Sequence, residues 1–133
     1  ILAFAQLCSL ALVDSNPNVA LESLSDEAKT ILTLAASRGT IEIRAHRDPF
    51  DPVERFLAVC VEVEPERRVL FLQKEDPQQT VKFLEGFRQL CRAGLILHHL
   101  QRDFSLSIQG FEMAKSIDQT DVKHLISWAL ELN

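Results

Sequence analysis

Residues 76–108 read DPQQTVKFLEGFRQLCRAGLILHHLQRDFSLSI, and the change of period inside this stretch decides the fold. Asp76 can cap a helix, and Pro77 suits the first helical position, where a missing N–H costs nothing. Phe83, Leu84, Phe87, Leu90 and Cys91 recur at three- and four-residue spacing and form one apolar stripe. Gly94 ends the helix. Gly86 in its middle costs about 1 kcal/mol relative to Ala, and lets another backbone approach closely. Beyond Gly94 the period drops to two. LILHHL (95–100) and FSLSI (104–108) flank Gln101-Arg102-Asp103, with Phe104, Leu106 and Ile108 on one side and Ser105 and Ser107 on the other. That pattern predicts a hairpin.

Upstream, Leu21, Leu24, Ala28, Ile31, Leu32 and Ala35 fall on one helical face. Ser25 is the expected N-cap, Asp26 and Glu27 suit the first turn, and Arg38-Gly39 is the expected stop. Thr40 to Ala45 alternates as a half-buried strand, and RDPFDP (47–52) reads as a loop because of its two prolines. ERFLAVCVEV (54–63) fits a helix through Val53, Phe56, Leu57, Cys60 and Val61, or a strand through Val59, Val61 and Val63. The EPER turn (64–67) and the strand-like RVLFLQ (68–73) favour a second hairpin. Downstream, QGFEMAKSI (109–117) is expected to be a short helix. A last helix over 119–132 would place Val122, Leu125, Ile126, Ala129 and Leu130 on one face. The sum is an α+β fold in which a small antiparallel sheet with two hairpins packs against three to five helices.

The whole chain is 133 residues with 47% hydrophobic and 25% charged residues, ordinary globular values that fit one domain and rule out a disordered or collagen-like chain. Residues 1–18 are expected to form an apolar N-terminal helix and linker, the possible tail of a preceding segment, and 19–133 the domain itself. The run ILAFAQLCSLALV (1–13) is uncharged but too short to span a bilayer, so no membrane span is expected. The chain opens on Ile1 with no initiator methionine, which implies that it is processed or cut from something longer. Cys8, Cys60 and Cys91 sit in separate apolar runs, which argues for buried free thiols in a reducing, cytoplasmic compartment. The net charge of −5 excludes a wholly nonspecific nucleic-acid binder, which carries an excess of the other sign.

The stretches LSDEAKTILTLAA (24–36), GTIEIR (39–44), DPQQTVKFLEGFRQLCRAGLI (76–96) and FSLSIQGFEMAKSI (104–117) together follow an order of helix, strand, hairpin, helix, wing and helix. This resembles a winged-helix-like small domain found at the C-terminal end of many uncharacterised bacterial proteins. Ile108-Gln109-Gly110 stands where such domains close their wing with Leu-Thr-x-x-Gly. The resemblance implies a module that binds DNA, binds proteins or dimerises. Between the first strand and the main helix this chain reads as a hairpin, where a DNA-reading winged helix carries a second helix.

Candidate chemistry is sparse, and nothing identifies a reaction or a ligand. Gln78, Lys82, Glu85, Gln89 and Arg92 share the polar face of the 77–93 helix. Gln78, Lys82, Gln89 and Arg92, with Arg102 in the wing, are the expected DNA-contacting residues if the chain reads a major groove. The plain alternative is a solvated face with Lys82 and Glu85 as an i,i+3 pair. His98-His99 suggests a metal at first sight, but neighbours on a strand point to opposite faces. Cys91 lies on the apolar stripe, where burial makes a thiol inert. Glu62, Glu64 and Glu66 alternate at a hairpin, as solvated edge charges do. No phosphate loop, nucleophile elbow or metalloprotease signature occurs. The expectation is therefore no enzyme, no catalytic residue, no metal and no cofactor. The chain reads as a non-catalytic interaction or regulatory module of a larger bacterial protein, acting through protein–protein contacts or self-association, with a dimer in view. The alternative is a DNA-binding regulator using helix 77–93 and wing 95–108. A third option is a small-molecule sensor with a pocket under residues 46–75.

Overall fold

The computed structural model describes residues 21–48 and 51–132, without the side chains of 46–48 and 51–56. The run 1–13 with Cys8, the linker that follows it and the division of the chain at residue 18 lie outside the described residues.

Helix α1 (Asp26–Ala35) starts where Ser25 Oγ accepts a hydrogen bond from Ala28 N at 3.1 Å. Helix α2 (Pro77–Arg92) starts at the Asp76 cap, with Pro77 in the first turn. Helix α3 (Ile108–Lys115) starts at Ser107, whose Oγ accepts from Gly110 N at 3.0 Å. Helix α4 (Lys123–Trp128) follows a 3-10 turn over Gln119–Asp121.

The strands are β1 (Thr40–Asp48), β2 (Asp51–Glu64), β3 (Arg67–Leu70), β4 (Ile96–His98), β5 (Asp103–Leu106) and β6 (Leu130–Leu132). They form one antiparallel sheet in the order β4-β5-β1-β2-β3-β6. The α+β class stands, and the small sheet expected from two hairpins is a six-stranded one. β5 pairs with β1, Ile41 opposite Phe104, so β4 and β5 of the 95–108 segment form one edge of a continuous six-stranded sheet.

Two further expectations are corrected. The RDPFDP loop is almost absorbed into strands, since β1 runs to Asp48 and β2 begins at Asp51. The register jumps from Arg47↔Arg55 to Asp48↔Asp51, leaving residues 52–54 without β1 partners, and a bulge of that kind tolerates Pro52. The last helix also stops at Trp128 instead of reaching 132. Val122 and Leu125 are buried as expected, but Leu130 is 47% exposed and belongs to β6. The backbone of 130–132 pairs with β3 and covers a sheet edge that would otherwise be bare.

The main core lies on one face of the sheet. Ile41, Ile43, Val59, Val61, Phe71, Ile96 and Phe104 meet Ile31, Leu32, Phe83, Phe87 and Leu90 from α1 and α2. Phe71, Phe83 and Trp128 stack in series with centroids 4.3 and 5.3 Å apart, and Phe87 meets Phe104 edge-on at 4.8 Å. Gly86 sits where α2 crosses α1. A β-carbon there would lie 2.8 Å from Ala28 N, so the close approach expected of this glycine is present. Among the described residues no helix is long and apolar enough to cross a membrane.

Candidate functional site

Two surfaces carry the candidate polar side chains. The first is the outer face of α2. Its inner face is committed twice, to the sheet through Phe83, Phe87 and Leu90 and to α1 through Gly86. Gln78, Lys82 and Arg92 are exposed on the outer side, and Arg102 is exposed in the β4–β5 turn. Gln89 is placed differently. Its side-chain oxygen accepts from Ser25 N at 2.9 Å, and its amide nitrogen donates to Ser23 O at 2.8 Å. It therefore clamps the approach to α1 instead of presenting its amide outward. Glu85 pairs with Arg88 at 3.3 Å, not with Lys82. Val81, 53% exposed, lies among these groups. The face is a mixture of cations, one ion pair and an apolar side chain.

The second surface is the sheet face away from the helices, and strand register lays it out in rows. One row reads Leu97, Ser105, Thr40, Glu62, Arg68, Leu132, taken across β4, β5, β1, β2, β3 and β6. The next reads Asp103, Glu42, Cys60, Leu70, Leu130 across β5, β1, β2, β3 and β6. A groove of about 360 Å³ crosses the polar part of these rows, lined by Thr40, Glu42, Cys60, Glu62, Arg68 and Asp103 among others. Thr40 Oγ1 donates to Glu62 at 3.4 Å, and Arg44 pairs with Glu42 at 3.3 Å. Glu62 stands opposite Arg68 in register, whereas Glu64 reaches Arg67 at 3.7 Å, so the alternating glutamates do not converge.

The adjacent histidines separate as strand geometry requires. His98 packs against the Phe104 ring at 4.9 Å and meets Gln101 O at 3.1 Å. His99 is exposed and meets Ser105 Oγ at 2.6 Å on the groove side. Among the described residues no group of three or more His, Cys, Asp or Glu side chains is arranged to hold a metal ion.

Cys60 forms part of the groove wall. Cys60 and Cys91 are both buried. Burial pushes the Cys60 thiol above its ordinary value of 9.0, against the lowering influence of nearby Arg44. Sequence reading assigned Cys60 no role. The signal was available in the alternation of Val59, Cys60 and Val61, which puts the thiol on the face opposite the two valines. A further hollow of about 350 Å³ lies between residues 72–75 and 127–130, where Gln73 donates to the Trp128 carbonyl. No family model, curated protein or solved structure matches this chain.

Proposed function

We propose that this chain is a non-catalytic interaction module, a winged-helix-like domain of a larger bacterial protein that works in the cytoplasm through protein–protein contacts. The observation that carries this reading is the β1–β2 ribbon. Beyond Ile43, which donates to Arg102 O, and Val59, which accepts from Phe71 N, the two strands pair only with each other among the described residues. A two-stranded ribbon is marginal in water, and a backbone edge with no strand partner among the described residues is the feature to which another strand adds. The mixed outer face of α2 agrees with a protein partner better than with a phosphate backbone, because Glu85 sits among its cations.

The test is to shorten the ribbon by replacing residues 47–55 with Asn-Gly, joining His46 to Phe56 through a tight turn. Sedimentation equilibrium and partner capture are then compared with the unaltered chain. Self-association or capture that disappears while the melting curve persists supports the reading. A chain that stays strictly monomeric at high concentration and captures nothing sinks it.

A second reading rests on the exposure of Gln78, Lys82 and Arg92 along one side of α2, with Arg102 exposed in the adjoining hairpin turn. In that reading the chain is a DNA-binding regulator whose helix α2 enters the major groove. It requires salt-sensitive retardation of duplex DNA that is lost when Lys82 and Arg92 become alanine. Absence of retardation at low salt excludes it.

A further inference from the structure

The second face of the sheet is polar over β5 and β1 but apolar toward the other edge. Ala58, Cys60, Leu70 and Leu72 are only 0–3% exposed and form a cluster of their own. The main core and the helices that build it belong to the opposite face. Among the described residues, Leu132 is the partly buried hydrophobic side chain packed on this cluster. One leucine on the last strand does not keep two leucines, an alanine and a thiol on β2 and at the end of β3 dry. A sheet face left to water carries polar side chains, and this part of it does not. Something apolar lies over the strip.

We propose that the occupant is the chain's own run ILAFAQLCSLALV (1–13). Its chemistry matches: it holds no charged residue, and neither does the strip. Glu42 and Arg44 on β1 flank the strip and confine an uncharged occupant to the β2–β3–β6 side, while the Glu62–Arg68 pair of positions closes one end of it. Its size matches as well. Three neighbouring strands measure about 10 Å across, and 13 residues cover roughly 20 Å even when coiled as a helix. The connection is long enough. Seven residues, 14–20, separate the run from Leu21. Fully extended they span about 23 Å, against roughly 20 Å between layers on opposite sides of a sheet.

The cysteines supply the test, because Cys60 lies in the strip while Cys91 lies in the main core. The full chain is treated with a maleimide, and labelling is resolved peptide by peptide. In the unaltered chain Cys60 is protected, and protection persists through a roughly hundredfold dilution. Leu10→Lys should raise the Cys60 labelling rate about tenfold or more while Cys91 keeps its rate, the mark of local opening. Should that variant unfold and label both thiols alike, Leu10→Ser is read in the same way. Three results overturn the proposal. The first is a Cys60 rate unmoved in a folded variant. The second is protection lost on dilution, which assigns the strip to a second copy. The third is free labelling of Cys60 in the purified chain, which assigns it to another protein.

Discussion

Gly110 and Gly86 show how single atoms set the packing. A β-carbon on Gly110 would lie 2.2 Å from the Leu95 carbonyl oxygen, and one on Gly86 would lie 2.8 Å from Ala28 N. Both neighbours are backbone atoms and cannot rotate away. Gly86→Ala gains about 1 kcal/mol of helix propensity but must push α1 from α2, and overpacking costs about 1–3 kcal/mol. Urea denaturation should therefore show Gly86→Ala destabilised, and Gly110→Ala more so. Gln89 sets a contrast with its neighbours on the same helix. Removing its amide strips partners from Ser25 N and Ser23 O, at about 1–3 kcal/mol. Lys82→Ala should stay within about 0.5 kcal/mol. Equal effects of the two substitutions in thermal melts would contradict the clamp. The Cys60 thiol adds a pH dependence. Its folded-state pKa is raised by burial, so the folded chain holds a proton that the unfolded chain releases. The stabilisation is complete below the unfolded value and is lost as pH rises through the folded one. Stability should decline on the alkaline side of the ordinary thiol value of 9.0, and Cys60→Ala should flatten that decline.

Among the elements, α1, α2 and α3 carry their start signals in the chain: Ser25, Asp76 and Ser107 each accept from a backbone N–H three residues on. Ser25→Ala should cost about 1 kcal/mol in denaturant melts. Strand β6 had no such signal. Val122, Leu125, Ile126, Ala129 and Leu130 satisfy a helical period, yet the chain leaves the helix at Ala129, whose backbone is extended. The reason lies 60 residues away in sequence, in the unpaired edge of β3, which residues 130–132 cover. Leu132→Asp would place a carboxylate beside the Ala58–Leu72 cluster. Its cost should be about 1–3 kcal/mol, read as a lowered denaturation midpoint. Pro52 reads as loop because local rules cannot see a bulge, which depends on the partner strand.

At the scale of the whole molecule the sheet has two unlike faces, and the strands' protection should follow its layout. Hydrogen exchange should be slowest at Ile41, Ile43, Val59 and Val61, where neighbours flank both strands, and faster at Ala45, where the ribbon has left β5 behind. Uniform protection along β1 would mean that the ribbon is covered. Local pattern was enough for most of the fold. The apolar stripe of α2, the Ser25 and Asp76 caps and the alternation of Phe104, Ser105 and Leu106 depend on side chains and backbone within a few positions of one another, and periodicity reports those directly. Ile108, expected on the Phe104 side of the strand, instead opens α3 and is exposed. The candidate surfaces were legible only in part. Gln78, Lys82, Arg92 and Arg102 face outward as the helical spacing and the turn imply, while Gln89 is drawn inward by Ser23 and Ser25, 66 and 64 residues distant. The joining of β5 to β1, the edge strand β6 and the Cys60 groove arise from pairings between distant segments. Which segments meet is settled by burying apolar faces and satisfying backbone groups across the folded chain, and no short stretch of residues encodes that.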